Sequence, residues 1–237
     1  GDDEIKLIKK NFGWDPEKSF HVPAEALEHT RKTKDKGAEL EKQWNEMFKK
    51  YSQQYPELAK LITNPYPDIT ELPTFAPEPM ATRSASGKTL DALMPKMPLI
   101  LGGSADLTPS NNTRYKGVED FQKDKWTGRY IRYGVREHAM AAIMNGIGTS
   151  ELLRAYGGTF FCFFDYMKPA VRLAAMSGYK SIFVFTHDTI GLGEDGPTHQ
   201  PIEHIAALRA IPKMLVLRPA DANETAYCWK IALENKN

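Results

Sequence analysis

Residues 155–186 read AYGGTFFCFFDYMKPAVRLAAMSGYKSIFVFT, and this stretch decides the fold. A short run of aromatic and small residues, Ala155 to Phe160, predicts a strand. A helical pattern follows over Phe163 to Met176, and a second apolar run, Ser181 to Thr186, predicts another strand. The same alternation extends to both sides. Strands are expected over Leu99 to Gly102, Tyr130 to Tyr133 and Met214 to Leu217, and helices over Ser84 to Met94, Arg136 to Gly148, Ile202 to Ala210 and Asn223 to Glu234. The last helix opens on Asp221 with Glu224 three residues on, the spacing of a capping box. Strand and helix in alternation predict an α/β fold, a parallel sheet with helices on both faces. Ligands of such sheets sit beyond the carboxyl ends of the strands. Asp106, Glu137, the loop Gly191 to Pro201 and Arg218 all fall at that edge in this assignment.

The chain has 237 residues, 41% of them hydrophobic and 11% aromatic, enough to bury a large core. A formal charge of +1 provides no overall field for nucleic acid or an anionic membrane, so anion recognition has to be local. No apolar run is long enough to span a bilayer and no cleavable signal opens the chain, which predicts a soluble protein with no membrane partner. Cys162 and Cys228 lie among apolar neighbours without Cys-x-x-Cys spacing, so buried thiols in a reducing, cytoplasmic setting are expected. The opening Gly1-Asp2-Asp3-Glu4, without methionine, reads as a fragment of a longer chain.

Three zones follow. Residues 1–62 are charged and helical, with Leu40, Trp44, Met47, Phe48, Tyr51, Tyr55 and Leu58 forming one apolar stripe expected to lie against the rest of the protein. Residues 63–80, punctuated by Pro65, Pro67, Pro73, Pro77 and Pro79, read as a linker, and residues 81–237 as the α/β domain.

Several groups carry chemistry, each with a structural alternative. Gly191 to Pro201 (GLGEDGPTHQP) holds Asp195 and His199 four residues apart on a loop whose three glycines and two prolines shape backbone around a ligand. Gly102 to Ser110 (GGSADLTPS) follows the first strand as a phosphate-cradling turn, unless Asp106 and Ser110 merely cap the next segment. Glu137 opens a helix, where the dipole alone favours an acid. Its functional reading is a carboxyl desolvated among aromatics and raised in pKa to bond a heterocycle nitrogen. Phe160, Phe163 and Tyr166 recur every third residue, as core or as a wall for a flat ring. Arg218 ends an apolar run before Pro219, placed for bidentate contact with a phosphate. No spacing such as His-x-x-x-His marks a metal site.

Five ordered motifs carry a family resemblance: GGSADLTPSN from Gly102, GRYIRYGVREHAM over Gly128 to Met140, YGGTF over Tyr156 to Phe160, GEDGPTHQP over Gly193 to Pro201 and LRPAD over Leu217 to Asp221. With these the chain closely resembles the transketolase family, in its pyrimidine-binding domain and the helical tail of the preceding diphosphate-binding domain. The resemblance implies thiamine diphosphate as cofactor. It makes Glu137 the carboxyl that bonds N1′ of the aminopyrimidine and favours the imino tautomer. Phe160, Phe163 and Tyr166 then form the pyrimidine pocket, Leu107 the apolar contact, and Asp106 part of the cofactor and dimer network. It implies that Asp195 reads donor hydroxyl stereochemistry, that His199 lies by the substrate channel, and that Arg83, Ser110, His187 and Arg218 surround a sugar phosphate. Magnesium or calcium is implied in the parent enzyme but not by ligands here, because Glu194-Asp195-Gly196 is not the Gly-Asp-Gly that holds metal and diphosphate. The implied whole is a homodimer moving a two-carbon ketol unit from xylulose 5-phosphate to ribose 5-phosphate, with this fragment alone inactive. Dihydroxyacetone synthase, which uses formaldehyde as acceptor, and a non-catalytic pyrimidine-domain module stay open as alternatives. Deoxyxylulose phosphate synthase and the pyruvate dehydrogenase E1 β chain share the domain type, but the set Arg83, Ser110, His187 and Arg218 with Thr198 to Pro201 favours transketolase.

Overall fold

A computed structural model describes residues 1–66 and 68–235; Pro67 of the proline-rich stretch and the last two residues of the α/β domain lie outside the described residues. The chain divides into two compact units, Gly1–Lys60 and Leu61–Asn237.

The first unit is helical: α1 (Asp2–Asn11), α2 (Ala24–Gln54) and the start of α3 (Pro56–Thr63). Three acids in the first turn of α1 and two lysines in its last turn complement the helix dipole. Within this unit the apolar stripe packs along its own helix, with neighbours at three and four residues, and no residue of α2 is buried. Trp44 stacks on Phe48 at 5.8 Å, and Tyr51 meets Tyr55 at 5.2 Å.

The second unit holds a four-stranded parallel sheet in the order β2-β1-β3-β4, with β1 at Ile100–Ser104, β2 at Tyr130–Arg132, β3 at Arg154–Phe160 and β4 at Ile182–Thr186. One face is covered by α4 (Thr82–Leu93) and α9 (Ala222–Glu234), where Leu90, Leu93, Trp229 and Leu233 meet Ile100, Tyr130 and Tyr156. The other face is covered by α6 (Glu137–Gly148) and α7 (Phe164–Ser177), through Met140, Met144, Phe164, Met167 and Val171. Short helices α5 (Thr108–Asn111) and α8 (His204–Arg209) complete it. At the start of α9, Asp221 Oδ1 accepts from Glu224 N at 2.8 Å, while the Glu224 carboxylate accepts from Ala220 N rather than from Asp221. This is the expected capping box, displaced by one residue.

One strand expectation and one turn expectation need correction. Met214 to Leu217 joins no ladder among the described residues. Its alternation is satisfied by packing alone, with Met214 and Val216 against the core and Leu215 and Leu217 outward. Gly102 and Gly103 are not a phosphate-cradling turn but lie inside β1. A Cβ on Gly102 would stand 2.2 Å from the Tyr156 ring, and one on Gly103 would stand 2.3 Å from the Tyr133 ring, so the glycines make room for aromatics. Neither Asp106 nor Ser110 caps α5, whose N-cap is Leu107. The proline-rich stretch lies on the second unit: Ile69 is buried in its core, and Phe75 exchanges hydrogen bonds with the Asn223 amide at 2.9 and 3.0 Å. Cys162 is buried and Cys228 half-buried, and both are free.

Arg154 enters the core at the start of β3. Its guanidinium donates to Leu233 O and Asn235 O and lies 4.0 Å over the Tyr66 ring, whose hydroxyl donates to Leu152 O at 2.9 Å. Burial pushes the Tyr66 phenol up to about 12, with the Arg154 charge opposing. The folded state therefore holds this proton more tightly than the unfolded chain. The contribution to stability is complete below about pH 10 and is lost as pH rises through about 12. In a spectrophotometric titration, Tyr66→Phe is expected to remove one late-ionising phenol and to flatten the alkaline loss of stability. An unchanged titration would contradict the assignment.

Candidate active site at the carboxyl rim of the sheet

Because all four strands run parallel, their carboxyl ends share one edge, with Ser104 beside Arg132 and Gly158, and Phe160 beside Thr186. The residues that follow each strand are the predicted ones. Asp106 and Leu107 follow β1, Glu137 follows β2, Phe161 to Tyr166 follow β3, and His187 follows β4. Asp106 and His187 both have left-handed backbone, at φ 61° and 57°, a conformation that costs a non-glycine residue energy and that concentrates at functional turns.

Glu137 is the first residue of α6 and is 7% exposed. Among the described residues it accepts no hydrogen bond and forms no ion pair. The adjacent Arg136 guanidinium donates instead to Tyr133 O at 3.1 Å. The Glu137 carboxyl oxygens are not among the buried atoms that lack a partner, so they stay open at the rim, where an incoming donor or heterocycle nitrogen would meet them.

The aromatic residues form a continuous row. Phe160 stacks on Phe163 at 5.8 Å and 13°, and Phe163 meets Tyr166 at 5.8 Å and 37°. His187 lies against Phe160 at 3.8 Å, and His199 presents its ring across Phe160 and Phe163 at 6.0 and 5.1 Å. The wall reading of these phenylalanines thus has a geometric basis. Phe160 ends a strand, and a single helical turn, Phe161–Phe163, carries the chain into α7. Tyr166 stays largely exposed.

The polar residues group next to this row. Arg83 Nη1 lies 3.3 Å from both Ser110 O and His187 Nε2. His187 Nδ1 lies 2.9 Å from Thr186 Oγ1. Burial first, and then the Arg83 charge, hold the His187 ring below its usual pKa, against the opposing charges of Asp195 and Asp188. Arg218 arrives one residue away, its Nε donating to Asp188 Oδ2 at 2.7 Å. Of the four predicted phosphate ligands, three therefore converge directly and Arg218 joins through Asp188. In the loop, Gly196 has φ 73°, which only glycine adopts without strain, whereas Gly191 and Gly193 do not use that freedom. Gln200 straps the loop by donating to Leu192 O, Thr198 Oγ1 contacts His199 Nδ1 at 2.9 Å, and Asp195 is exposed.

One group of metal-competent side chains that spacing did not reveal lies beside the wall: Asp165, Glu203 and His204. Asp165 Oδ2 stands 3.2 Å from His204 Nε2, whereas Glu203 Oε2 stands 3.9 Å from Nδ1, so the acids flank opposite edges of the ring. Sequence reasoning also missed Asn111, which is 0% exposed and bonded on both sides, Ser104 Oγ to Oδ1 at 2.9 Å and Nδ2 to Thr186 Oγ1 at 2.6 Å. A polar residue inside a proline-rich one-turn helix has no periodicity to announce its burial.

A parallel sheet with a buried carboxyl and an aromatic row on its carboxyl rim defines an α/β domain of the class that holds its ligand at that edge. Two family profiles agree: "Transketolase, pyrimidine binding domain" matches residues 78–237 and "Transketolase, thiamine diphosphate binding domain" matches residues 1–68. The chain is 49% identical to a transketolase of Mycobacterium tuberculosis over 254 aligned positions, covering 100% of this chain and 36% of that protein. A transketolase of Kluyveromyces lactis is also 49% identical, with 99% and 37% covered. Among solved structures, Pichia stipitis transketolase in complex with sedoheptulose-7-phosphate superposes with a TM-score of 0.89 at 47% identity, covering 99% of this chain and 37% of that one. The chain belongs to the transketolase family, and it spans little more than a third of the length of these relatives.

Proposed function

We propose that the protein carrying this chain transfers a two-carbon ketol unit from a ketose phosphate such as xylulose 5-phosphate to an aldose phosphate such as ribose 5-phosphate, with thiamine diphosphate as cofactor. The observation that carries the proposal is Glu137, buried and without a partner among the described residues, on the same rim as the Phe160–Phe163–Tyr166 row. These residues fit the cofactor's aminopyrimidine: the Glu137 carboxyl would share a proton with a ring nitrogen, and the aromatic row would offer faces to a flat ring. When bound, thiamine diphosphate supplies a nucleophilic carbon and an electron sink. To Leu107 we assign an apolar contact with the cofactor, and to Asp106, exposed at the left-handed turn after β1, a place in the cofactor and dimer network. The described residues hold no Gly-Asp-Gly for diphosphate and its magnesium or calcium, which we assign to parts of the family outside this chain.

The remaining roles follow from placement. Arg83 and His187, with Arg218 behind Asp188, gather the cationic groups of a site for a phosphate dianion, and Ser110 meets Arg83 through its carbonyl oxygen, which leaves its hydroxyl as the group to donate. Asp195 reads donor hydroxyls, and His199, edge-on to both phenylalanines, stands by the reacting carbons. We assign residues 1–62 to the tail of the diphosphate-binding domain, 63–80 to the linker and 81–237 to the pyrimidine-binding domain. A homodimer is proposed to complete the site, in the cytoplasm, where two free thiols persist.

Dihydroxyacetone synthase chemistry, with formaldehyde as acceptor, is the competing reading; a phosphate cluster at Arg83 and His187 serves the ketose phosphate donor in either reading, so the acceptor separates them. With xylulose 5-phosphate as donor, the intact enzyme is expected to use ribose 5-phosphate in preference to formaldehyde. Turnover with formaldehyde alone would overturn the acceptor assignment.

A further inference from the structure

His187 sits between two fixed partners. On one side, Arg83 Nη1 lies 3.3 Å from Nε2, and a guanidinium only donates, so Nε2 must accept. A neutral ring that accepts at Nε2 carries its hydrogen on Nδ1, which donates to Thr186 Oγ1 at 2.9 Å. Thr186 is itself anchored. Asn111 Nδ2 donates to the same Oγ1 at 2.6 Å, and the Asn111 carbonyl is held by Ser104 Oγ at 2.9 Å. Asn111, Ser104 and Thr186 are all buried. The two lone pairs of Thr186 Oγ1 are thereby filled by two hydrogens, one from the amide and one from the imidazole.

A phosphate placed at this ring needs a hydrogen on Nε2, the atom that carries none in the ligand-free protein. We propose that phosphate capture at His187 is proton-linked: one proton is taken from solvent onto Nε2, while Thr186, positioned by Asn111, accepts the Nδ1 hydrogen of the resulting imidazolium. This inference rests on the reading of Arg83 and His187 as sugar-phosphate ligands. The charges facing the ring are Arg83 from α4, Asp188 beside it, and Asp195 and His199 from the loop. Arg218 stands behind, paired to Asp188. Burial and Arg83 keep the free ring neutral near pH 7, and a dianion reverses the local field. Thr186 is a positioning residue, because an imidazolium whose second N–H faced an apolar side chain would be a buried donor without an acceptor.

The test is calorimetric titration of the intact protein with ribose 5-phosphate at about pH 7.5, above the second ionisation of a phosphate ester, in two buffers of different ionisation enthalpy. Wild type is expected to take up about one proton per site, with apparent affinity falling by up to about tenfold per pH unit between the midpoint of the free ring and that of the complex, and levelling off above the latter. Thr186→Val is expected to reduce uptake toward zero and Thr186→Ser to restore it. Binding without uptake in wild type, or uptake unchanged in Thr186→Val, overturns the inference. Nitrogen-15 shifts of His187 in the ligand-free wild type separate the two layers. A hydrogen on Nε2 there refutes the relay by itself. A hydrogen on Nδ1 together with no binding of ribose 5-phosphate refutes the phosphate-site reading, and proton-linked capture with it, while leaving the ring's tautomer as described.

Discussion

Glu137→Gln in the intact enzyme is expected to lower turnover by roughly 10²- to 10⁴-fold, the range of a lost proton-transfer group and equivalent to about 3–5 kcal/mol of barrier. The fold is expected to be about as stable as wild type. Glu137 has no ion pair or hydrogen bond among the described residues and its oxygens stay open at the rim, so the folded chain gains little from its charge beyond the α6 dipole. A neutral amide of the same shape should therefore lower activity and leave the melt close to wild type, the signature of a group kept for chemistry. Steady-state rates beside a thermal melt of both proteins decide the matter. Turnover within a few-fold of wild type would remove Glu137 from the mechanism, and a collapse of the melt would assign it to the fold.

Gly102→Ala is expected to destabilise the second unit by about 3 kcal/mol or more, lowering Tm by roughly 10 °C. A Cβ at this position stands 2.2 Å from both the ring and the hydroxyl oxygen of Tyr156. That ring has nowhere to retreat. It is fully buried, its hydroxyl donates to Thr113 O at 2.8 Å, and Trp229 packs against it edge-on at 5.4 Å while donating to Ser86 Oγ. A double-mutant cycle with Tyr156→Leu should recover a large part of the loss, because the two substitutions share one clash. A Gly102→Ala protein that melts with wild type would refute the close approach.

The strand–helix–strand pattern of residues 155–186 was legible because each element carries its own periodicity, and helix ends such as Asp221 carry their own capping chemistry. Met214 to Leu217 was misread for the same reason. Alternation reports which side chains turn inward, not whether a neighbouring backbone offers hydrogen bonds, and here Met214 and Val216 find the core without a ladder. The stripe on α2 was legible as a stripe, but what covers it is a matter of other chain segments and no periodicity contains it. Gly102 and Gly103 looked like turn glycines because a sequence does not reveal that two tyrosines approach from elsewhere.

By itself the amino-acid order determined the α/β class and the parallel sheet, since periodicity is local and strand–helix alternation leaves parallel pairing as the simple solution, and its ordered motifs supplied, through a family resemblance, most of the candidate residues. Only the tertiary structure decided how those candidates are used. It left Glu137 without a partner among the described residues, aligned His187, Phe160 and Phe163 in one row, paired Arg218 with Asp188, and hid Asn111 behind Thr186. The contacts of His187 with Phe160, of Arg218 with Asp188 and of Asn111 with Thr186 are distances between residues far apart in the chain. Such distances are set by packing two layers of helices on a sheet, and no short window of sequence contains both partners.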